Sequence, residues 1–140
     1  LVDYLDLAKV PEGVRMVLLS ALERQAQALE KYQDSDGMWH TLVNLPESSY
    51  PESSATAGFS YGLLKAVRLQ YLPKRFQALG QKGLAAILAR IDDHGLLQQV
   101  SMGTVVGKDL DDYRRVPQGP QPYGQSMALL LLLEALKWAD

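Results

Sequence analysis

A polar loop runs directly into a run of small side chains at Ser49-Tyr50-Pro51-Glu52-Ser53-Ser54-Ala55-Thr56-Ala57-Gly58. The pattern that follows predicts a helix over residues 52–71, and the small side chains at its start permit close approach of a neighbouring backbone. Pro73 then breaks the chain and begins another predicted helix over residues 73–91, in which apolar residues recur at helical spacing. Because only a short turn joins the two helices, we expect a tight antiparallel hairpin.

Two more predicted helices flank this hairpin. The first, residues 11–32, has one apolar face and a charged opposite face, which is typical of an amphipathic helix at a protein surface. The last, residues 123–139, is apolar on nearly every side through the run 129–133, so other elements must enclose it, and this chain offers too few of them. The sequence therefore predicts an all-α protein of antiparallel helix hairpins, with residues 1–140 forming a single segment.

The connections between these helices differ greatly in length. Two long polar loops, residues 33–52 and 92–122, alternate with the short turn at 71–73, so both are expected to emerge at the same end of the helical layer. Loops on a rigid scaffold commonly carry function. Two segments resemble each other, Asp36-Gly37-Met38-Trp39-His40-Thr41-Leu42-Val43 and Asp93-His94-Gly95-Leu96-Leu97-Gln98-Gln99-Val100. Their glycines, Gly37 and Gly95, are 58 residues apart, which suggests a repeated helix-hairpin unit.

Composition and charge exclude several classes of protein. Lys and Arg total 14 against 16 Asp and Glu, a formal net charge of −2 that offers no basic surface for nucleic acid or an anionic membrane. The chain has no cysteine, which excludes disulfides, cysteine-based zinc sites and a thiol nucleophile. The longest apolar run, residues 127–133, falls well short of the roughly 20 residues that span a bilayer. We expect neither nucleic acid nor a membrane as a partner.

We predict no metal site and no cofactor. The run Asp34-Ser35-Asp36-Gly37 suggests a calcium loop, but its glycine is fourth rather than sixth, and Leu45 stands where an EF-hand needs a bidentate glutamate. A turn at the end of a helix, with glycine in the left-handed conformation, is the better interpretation. His40 and His94 are the only imidazoles and stand in no ligand cluster, so each is expected in a loop or a cap.

Glu52 and two aromatic residues are the strongest candidates for a site. Glu52 lies where a polar loop meets the start of a helix, so it could serve acid or base chemistry or stabilise the helix N-terminus, and the sequence leaves both open. Trp39 and Tyr123 lie in or beside the long loops, where a ring either offers a platform to a sugar or covers the core. Three other carboxylates are expected to be solvated: Asp109, Asp111 and Asp112.

Several short motifs follow one another in a fixed order along residues 13–139: Asp36-Gly37-Met38-Trp39-His40, Ser49-Tyr50-Pro51-Glu52-Ser53-Ser54-Ala55-Thr56-Ala57-Gly58-Phe59, Lys65-Ala66-Val67-Arg68-Leu69, Gly103-Thr104-Val105-Val106-Gly107, Asp112-Tyr113-Arg114 and Pro122-Tyr123-Gly124. This order resembles the C-terminal half of unsaturated rhamnogalacturonyl hydrolases, glycoside hydrolase family 105. The resemblance implies an (α/α)6 barrel in which inner and outer helices alternate and a substrate cleft opens at one end.

The resemblance also implies an activity. Members of that family remove a Δ4,5-unsaturated galacturonyl residue from pectin-derived rhamnogalacturonan oligosaccharides: an aspartic acid protonates the double bond and activates water, and the hemiketal product then collapses. The implied ligand is an unsaturated uronic-acid oligosaccharide, no cofactor is implied, and the implied location is cytoplasmic.

The family's catalytic aspartate, active-site histidine and Trp/Arg-rich recognition segment belong to its N-terminal half, and nothing in this chain matches them. We therefore assign no catalytic residue. We expect the chain to be the C-terminal portion of a barrel, with residues 1–6 as the tail of a preceding helix and the missing N-terminal half as a partner. The positions expected near the cleft, in shaping and binding roles, are Trp39, His40, Glu52, Ser54, Thr104 and Tyr123.

Two other interpretations stay open at this point. A stand-alone helical scaffold could bind a peptide or protein partner in a concavity between its helices. Alternatively, the same barrel could carry different chemistry, because a fold does not fix a function and related barrels serve epimerases and other glycosidases.

Overall fold

The computed structural model describes residues 1–138, and its elements confirm the all-α class built of antiparallel helix hairpins. Two short strands, β1 (Val100–Ser101) and β2 (Gln118–Gly119), pair antiparallel with Val100 opposite Gly119. Each helix in the described part of the chain is too short or too polar to cross a bilayer. The α-helices are α1 (Val2–Leu7), α2 (Glu12–Tyr32), α3 (Ser53–Arg68), α4 (Gln77–Leu88), α5 (Leu110–Arg114) and α6 (Pro122–Leu136).

Local hydrogen bonds explain where α3 begins and ends. Glu52 is its N-cap residue, and the Glu52 carboxylate accepts a hydrogen bond from the backbone N–H of Ala55 at 2.6 Å. This bond satisfies one of the free donors in the first turn of the helix. At the other end, Gln70 adopts a φ of +60°, a left-handed conformation that terminates helices. The helix therefore ends at Arg68, before the predicted boundary at residue 71.

Helices α3 and α4 pack at close range, which confirms the predicted tight hairpin. A Cβ atom built on Gly83 of α4 would lie 2.0 Å from the hydroxyl oxygen of Ser60 on α3. A Cβ atom on Gly80 would lie 2.7 Å from the side chain of Leu64. The absence of a side chain at these two glycines is thus what lets the two helices approach each other.

Helix α6 is only partly enclosed. Its carboxylate Glu134 is buried and accepts two hydrogen bonds from the Arg68 guanidinium of α3, at 2.5 and 3.0 Å, and this pairing raises the pKa of Arg68. The described residues cover α6 on one side, mainly through α3, which agrees with the expectation that this chain supplies too few elements to enclose it. Three leucines on the other side are between 59% and 67% exposed: Leu129, Leu133 and Leu136. The last predicted position of this helix, Ala139, lies outside the described residues.

Three short elements supplement the long helices. Residues 1–6, expected as the tail of a helix, fall largely within α1. In α5, the Asp109 carboxylate accepts hydrogen bonds from the backbone N–H groups of Asp111 and Asp112 and so caps the helix. The pairing of β1 with β2 closes the second long loop on itself. Neither α5 nor the strand pair was expected from the helical periodicity.

The two similar sequence segments around Gly37 and Gly95 adopt the same backbone structure. We call residues 34–40 the first turn and residues 92–98 the second turn. In the first turn, the N–H of Asp34 donates to the carbonyl of Met38 and the N–H of Gly37 donates back to the carbonyl of Asp34, at 2.9 and 3.0 Å. The second turn repeats both bonds at an offset of 58 residues, at 3.0 and 2.9 Å, on the groups of Asp92, Gly95 and Leu96.

The repeat extends from each turn to the helix that follows it. Gly37 has a positive φ of +93°, as predicted, and Gly95 repeats this left-handed conformation with a φ of +78°. Trp39 and Leu97 are both fully buried. Each donates its backbone N–H to a side-chain oxygen in the first turn of the next long helix, Thr56 of α3 at 3.0 Å and Gln125 of α6 at 2.8 Å.

Candidate functional site

The two long loops meet at one end of the helices and enclose a cavity of about 430 Å³. This confirms the prediction that both loops emerge at the same end. Five of the six candidate positions line the cavity: His40, Glu52, Ser54, Thr104 and Tyr123. The remaining lining residues were not among the six candidates: Thr41, Val43, Ala55, Phe59, Ser101 and Gly103.

Glu52 joins the two loops at the base of this cavity. It is 4% exposed. One carboxylate oxygen accepts the backbone N–H and the hydroxyl of Ser101, both at 2.9 Å. The other accepts the N–H of Ala55 at 2.6 Å and the hydroxyl of Ser54 at 2.8 Å. With donors on both oxygens, Glu52 has the surroundings of a helix cap and a cross-link between loops, which favours the stabilising interpretation over acid or base chemistry.

The structure corrects the placement of Trp39. Its side chain is fully buried and does not line the cavity. The indole N–H donates to the carbonyl of Leu29 in α2 at 2.9 Å, and the ring packs edge-on against Phe59 with centroids 5.6 Å apart. A buried indole whose N–H is satisfied is a core residue, so Trp39 covers the core and offers no platform to a sugar.

His40 lies at the edge of the cavity with both ring nitrogens engaged. Its Nδ1 is 2.7 Å from the carbonyl oxygen of Ser49, and its Nε2 is 2.5 Å from a carboxylate oxygen of Asp34. The side chain is 11% exposed. The ring therefore connects the first turn to the far end of the loop that walls the cavity.

Tyr123 and Thr104 are the candidate residues with the most accessible surface at the cavity. Tyr123 stands near the start of α6 and is 43% exposed, while its hydroxyl donates to the carbonyl oxygen of Ser101. This bond fixes the ring and leaves part of it facing solvent. Thr104 is exposed in the segment that follows β1, next to Gly103, whose φ of +80° turns the chain there.

The other carboxylates lie outside the cavity. Partial burial tends to raise the pKa of Asp36, but the N–H of Met38 and the Arg90 guanidinium, 2.8 Å away, outweigh it and hold that pKa below its usual value. Asp111 is exposed and pairs with the Arg114 guanidinium at 2.5 Å, which lowers the pKa of Asp111. Within residues 1–138, no group of three or more histidine, aspartate or glutamate side chains could hold a metal ion.

Two residues that hold the site together, Ser101 and Arg114, were not among the candidates from the sequence. Ser101 meets Glu52, and Arg114 of α5 donates from Nε to the carbonyl of Ser48 at 2.9 Å, which ties the second long loop to the first. Both contacts join residues far apart in the chain, so no local pattern points to them. The motif Asp112-Tyr113-Arg114 was the one available signal for Arg114.

Antiparallel helix hairpins whose long loops build a cavity at one end are characteristic of (α/α)6 barrels, and the described residues form part of such a barrel. Residues 1–139 match the family described as Glycosyl Hydrolase Family 88. The chain belongs to this family.

Individual relatives agree with this assignment. The chain is 37% identical over 134 residues to the unsaturated rhamnogalacturonyl hydrolase YesR of Bacillus subtilis strain 168, a match that covers 95% of this chain and 37% of the relative. Crystal structures of possible GH105 family members from Salmonella enterica and Klebsiella pneumoniae are each 45% identical to it, with TM-scores of 0.95 and 0.94. Each of these two matches covers 99% of this chain and 37% of the solved chain. The resemblance seen in the motifs is confirmed, and the chain spans little more than a third of the length of these relatives.

Proposed function

We propose that this chain forms the C-terminal part of a glycoside hydrolase barrel that acts on unsaturated uronic-acid oligosaccharides derived from rhamnogalacturonan. The observation that carries the proposal is its 37% identity to YesR, an unsaturated rhamnogalacturonyl hydrolase. In the proposed reaction, a proton adds to one carbon of the double bond and water adds to the other. The hemiketal that results then opens and releases the shortened oligosaccharide.

The role we propose for this chain is binding. The described cavity has no carboxylate free to deliver the proton, because Glu52 is surrounded by donors. The Tyr123 ring is a suitable platform for the apolar face of a sugar, since its hydroxyl is held by Ser101 while part of the ring stays exposed. Thr104, from the second long loop, and Ser54, from the start of α3, add hydroxyl groups to the cavity lining. A few placed polar groups beside an aromatic surface are typical of ligand sites.

The partner we propose is the N-terminal half of the barrel. The exposed leucines of α6 leave an apolar face uncovered, and a second apolar cavity of about 250 Å³ opens between α1, α2, α3 and α6. Helices of an N-terminal half would cover this apolar surface. Burial of apolar surface is the force that joins layers of secondary structure into one core. The cytoplasmic location implied by the resemblance belongs to the same proposal.

The test supplies the chain with a separately made N-terminal half of the Bacillus relative. We expect the mixture to remove the ultraviolet absorbance of an unsaturated rhamnogalacturonan disaccharide, while either half alone does not. Direct titration of the chain with the same disaccharide, followed by nuclear magnetic resonance, reports binding even where the halves fail to join. If the two halves form a stable complex that leaves both the absorbance and the spectra unchanged, the proposal is wrong.

Tyr123 provides a matched pair of variants for this test. Tyr123→Ala removes the platform, so we expect binding of the disaccharide to weaken about tenfold, the size of a good stacking contact. Tyr123→Phe keeps the ring and loses the bond to Ser101, so it should stay much closer to the parent. Equal affinity for the parent chain and Tyr123→Ala would show that the ring does not contact the sugar.

A further inference from the structure

Both ring nitrogens of His40 face oxygen atoms, and this arrangement favours one protonation state of the ring. The Ser49 carbonyl oxygen and the Asp34 carboxylate oxygen that face its two ring nitrogens are both acceptors. A neutral imidazole has one N–H, so its second nitrogen would present a lone pair to the lone pairs of an oxygen. The doubly protonated ring, in contrast, donates at both ends. With Asp34 ionised, both contacts are thus hydrogen bonds only when His40 carries a charge.

Charged groups on the neighbouring elements agree with this state. Asp34, in the turn after α2, is the anion that faces the ring. Glu52, at the start of α3, lines the same cavity with its oxygens occupied by donors. The cations nearby are directed elsewhere: Lys82 of α4 donates to the backbone carbonyl of Asp34 at 2.9 Å, and Arg90 pairs with Asp36. The Asp34 carboxylate therefore remains available to the imidazolium.

We propose that His40 is a positioning residue whose charge holds one wall of the cavity in place. The imidazolium ties the first turn, through Asp34, to Ser49 at the far end of the loop 41–49, which contributes Thr41 and Val43 to the cavity wall. Loss of the second proton turns one of these bonds into a repulsive contact and loosens the wall. This inference concerns the shape of the cavity, so it holds whatever ligand the cavity takes.

The second turn provides an internal comparison for the pair formed by His40 and Asp34. Gln98 occupies the position equivalent to His40, and its side-chain N–H donates to the Asp92 carboxylate at 2.6 Å, just as the His40 ring meets Asp34. A side-chain amide keeps its protons at every physiological pH. The two turns therefore share one geometry, and only in the first of them does the aspartate face an imidazole, whose ring can carry one proton or two.

The experiment follows the whole 140-residue chain from about pH 5 to about pH 8, the range in which histidine changes charge. Chemical shifts of the ring nitrogens report the protons on His40, with the exposed ring of His94 as the comparison. Hydrogen exchange of the Thr41 amide, which donates to Tyr50, reports the wall. Exchange of the Asp92 and Gln98 amides, both in backbone hydrogen bonds, reports the second turn.

We expect both ring nitrogens of His40 to be protonated at the acid end. As the ring loses its charge, protection of Thr41 should fall about fivefold, the effect of one net hydrogen bond, while the second turn stays constant. In His40→Gln, protection of Thr41 should no longer depend on pH. A ring with one proton across the whole range overturns the proposal, as does constant protection of Thr41 while the ring demonstrably changes charge. The parent chain alone decides between these outcomes if the variant does not fold.

Discussion

The first turn and the second turn follow the same backbone path with different side chains. Both close on an aspartate and a left-handed glycine, and both place a fully buried residue before a long helix. The first turn has Trp39 and His40 where the second has Leu97 and Gln98. Only the first turn connects through its side chains to the loop that walls the cavity. The backbone pattern thus serves the fold twice, whereas the side chains of one copy serve the site.

This difference separates two kinds of constraint on the sequence. The positive φ at Gly37 and Gly95 and the aspartate carbonyls are needed wherever a helix hairpin repeats. The imidazole at residue 40 belongs to the copy that meets the cavity, whereas the neighbouring indole at residue 39 fills the core. Paired substitutions at equivalent positions therefore distinguish what the repeat requires from what the site requires.

The largest difference is expected at the buried pair. Trp39→Ala should lower the free energy of unfolding by about 4 kcal/mol, because it leaves a cavity beside Phe59 and removes the donor to the buried Leu29 carbonyl. Leu97→Ala should cost about 3 kcal/mol, since it removes fewer atoms and no side-chain hydrogen bond. Urea unfolding of both variants measures the difference. A larger loss for Leu97→Ala would mean that the second turn, and not the first, organises the core.

The two glycines come next. A Cβ atom on Gly37 would lie 2.5 Å from the carbonyl oxygen of Lys82, whereas nothing lies within 4 Å of one on Gly95. Gly95→Ala should therefore cost about 1 kcal/mol for the left-handed conformation alone, and Gly37→Ala should cost at least about 2 kcal/mol because the clash is added. The same unfolding experiment compares them. Equal losses would show that α4 moves aside without cost.

The smallest effect is expected at Asp36, which links the first turn to Arg90. Because half of its side chain is exposed, Asp36→Asn should cost only about 0.5 kcal/mol near neutral pH. The folded-state pKa of Asp36 lies below the ordinary value of 3.8, so the carboxylate contributes fully above that value and loses its contribution as the pH falls through the folded pKa.

The pH dependence gives the measurement for Asp36. Parent and Asp36→Asn chains should unfold at different urea concentrations at neutral pH and should converge as the pH falls below about 4. Asp93→Asn, an exposed aspartate in the second turn, is the matched control and should follow the parent throughout. A difference that grows toward acid pH would contradict the assigned direction of the pKa shift.

Helical periodicity was sufficient to predict the four long helices and the hairpin, because each depends on contacts a few residues apart. The boundary of α3 at Arg68 depends on the backbone conformation of Gln70, which no sequence rule for glutamine anticipates. The pairing of Val100 with Gly119 and the bond from Arg114 to Ser48 depend on distant segments. The exposed leucines of α6 agree with the expectation that its packing partners are too few in this chain.

The same distinction, between what a local pattern predicts and what depends on distant segments, applies to the site. Alternating long and short connections predicted that both long loops lie at one end, and the family resemblance then implied that residues 40, 52, 104 and 123 lie near a cleft there. The orientation of each side chain was beyond the sequence. Trp39 and His40 are adjacent, yet one ring is buried in the core and the other reaches the cavity. An alternating backbone sends neighbouring side chains in opposite directions, and only the register of the bridge between His40 and Pro51 decides which goes where.

The hydrogen bonds of Glu52 also imply an order in which parts of the molecule can come apart. Its bonds to Ser54 and Ala55 close short local rings, whereas its bonds to Ser101 span 49 residues. The entropy of closing a chain segment grows with its length, by about 0.6 kcal/mol for each doubling. The local bonds therefore persist in partially opened states in which the distant ones have been lost. The contact between Glu52 and Ser101 can thus open while α3 keeps its cap. The Glu52 carboxylate therefore lies at the boundary between a helix that stays folded and a cavity wall that can detach.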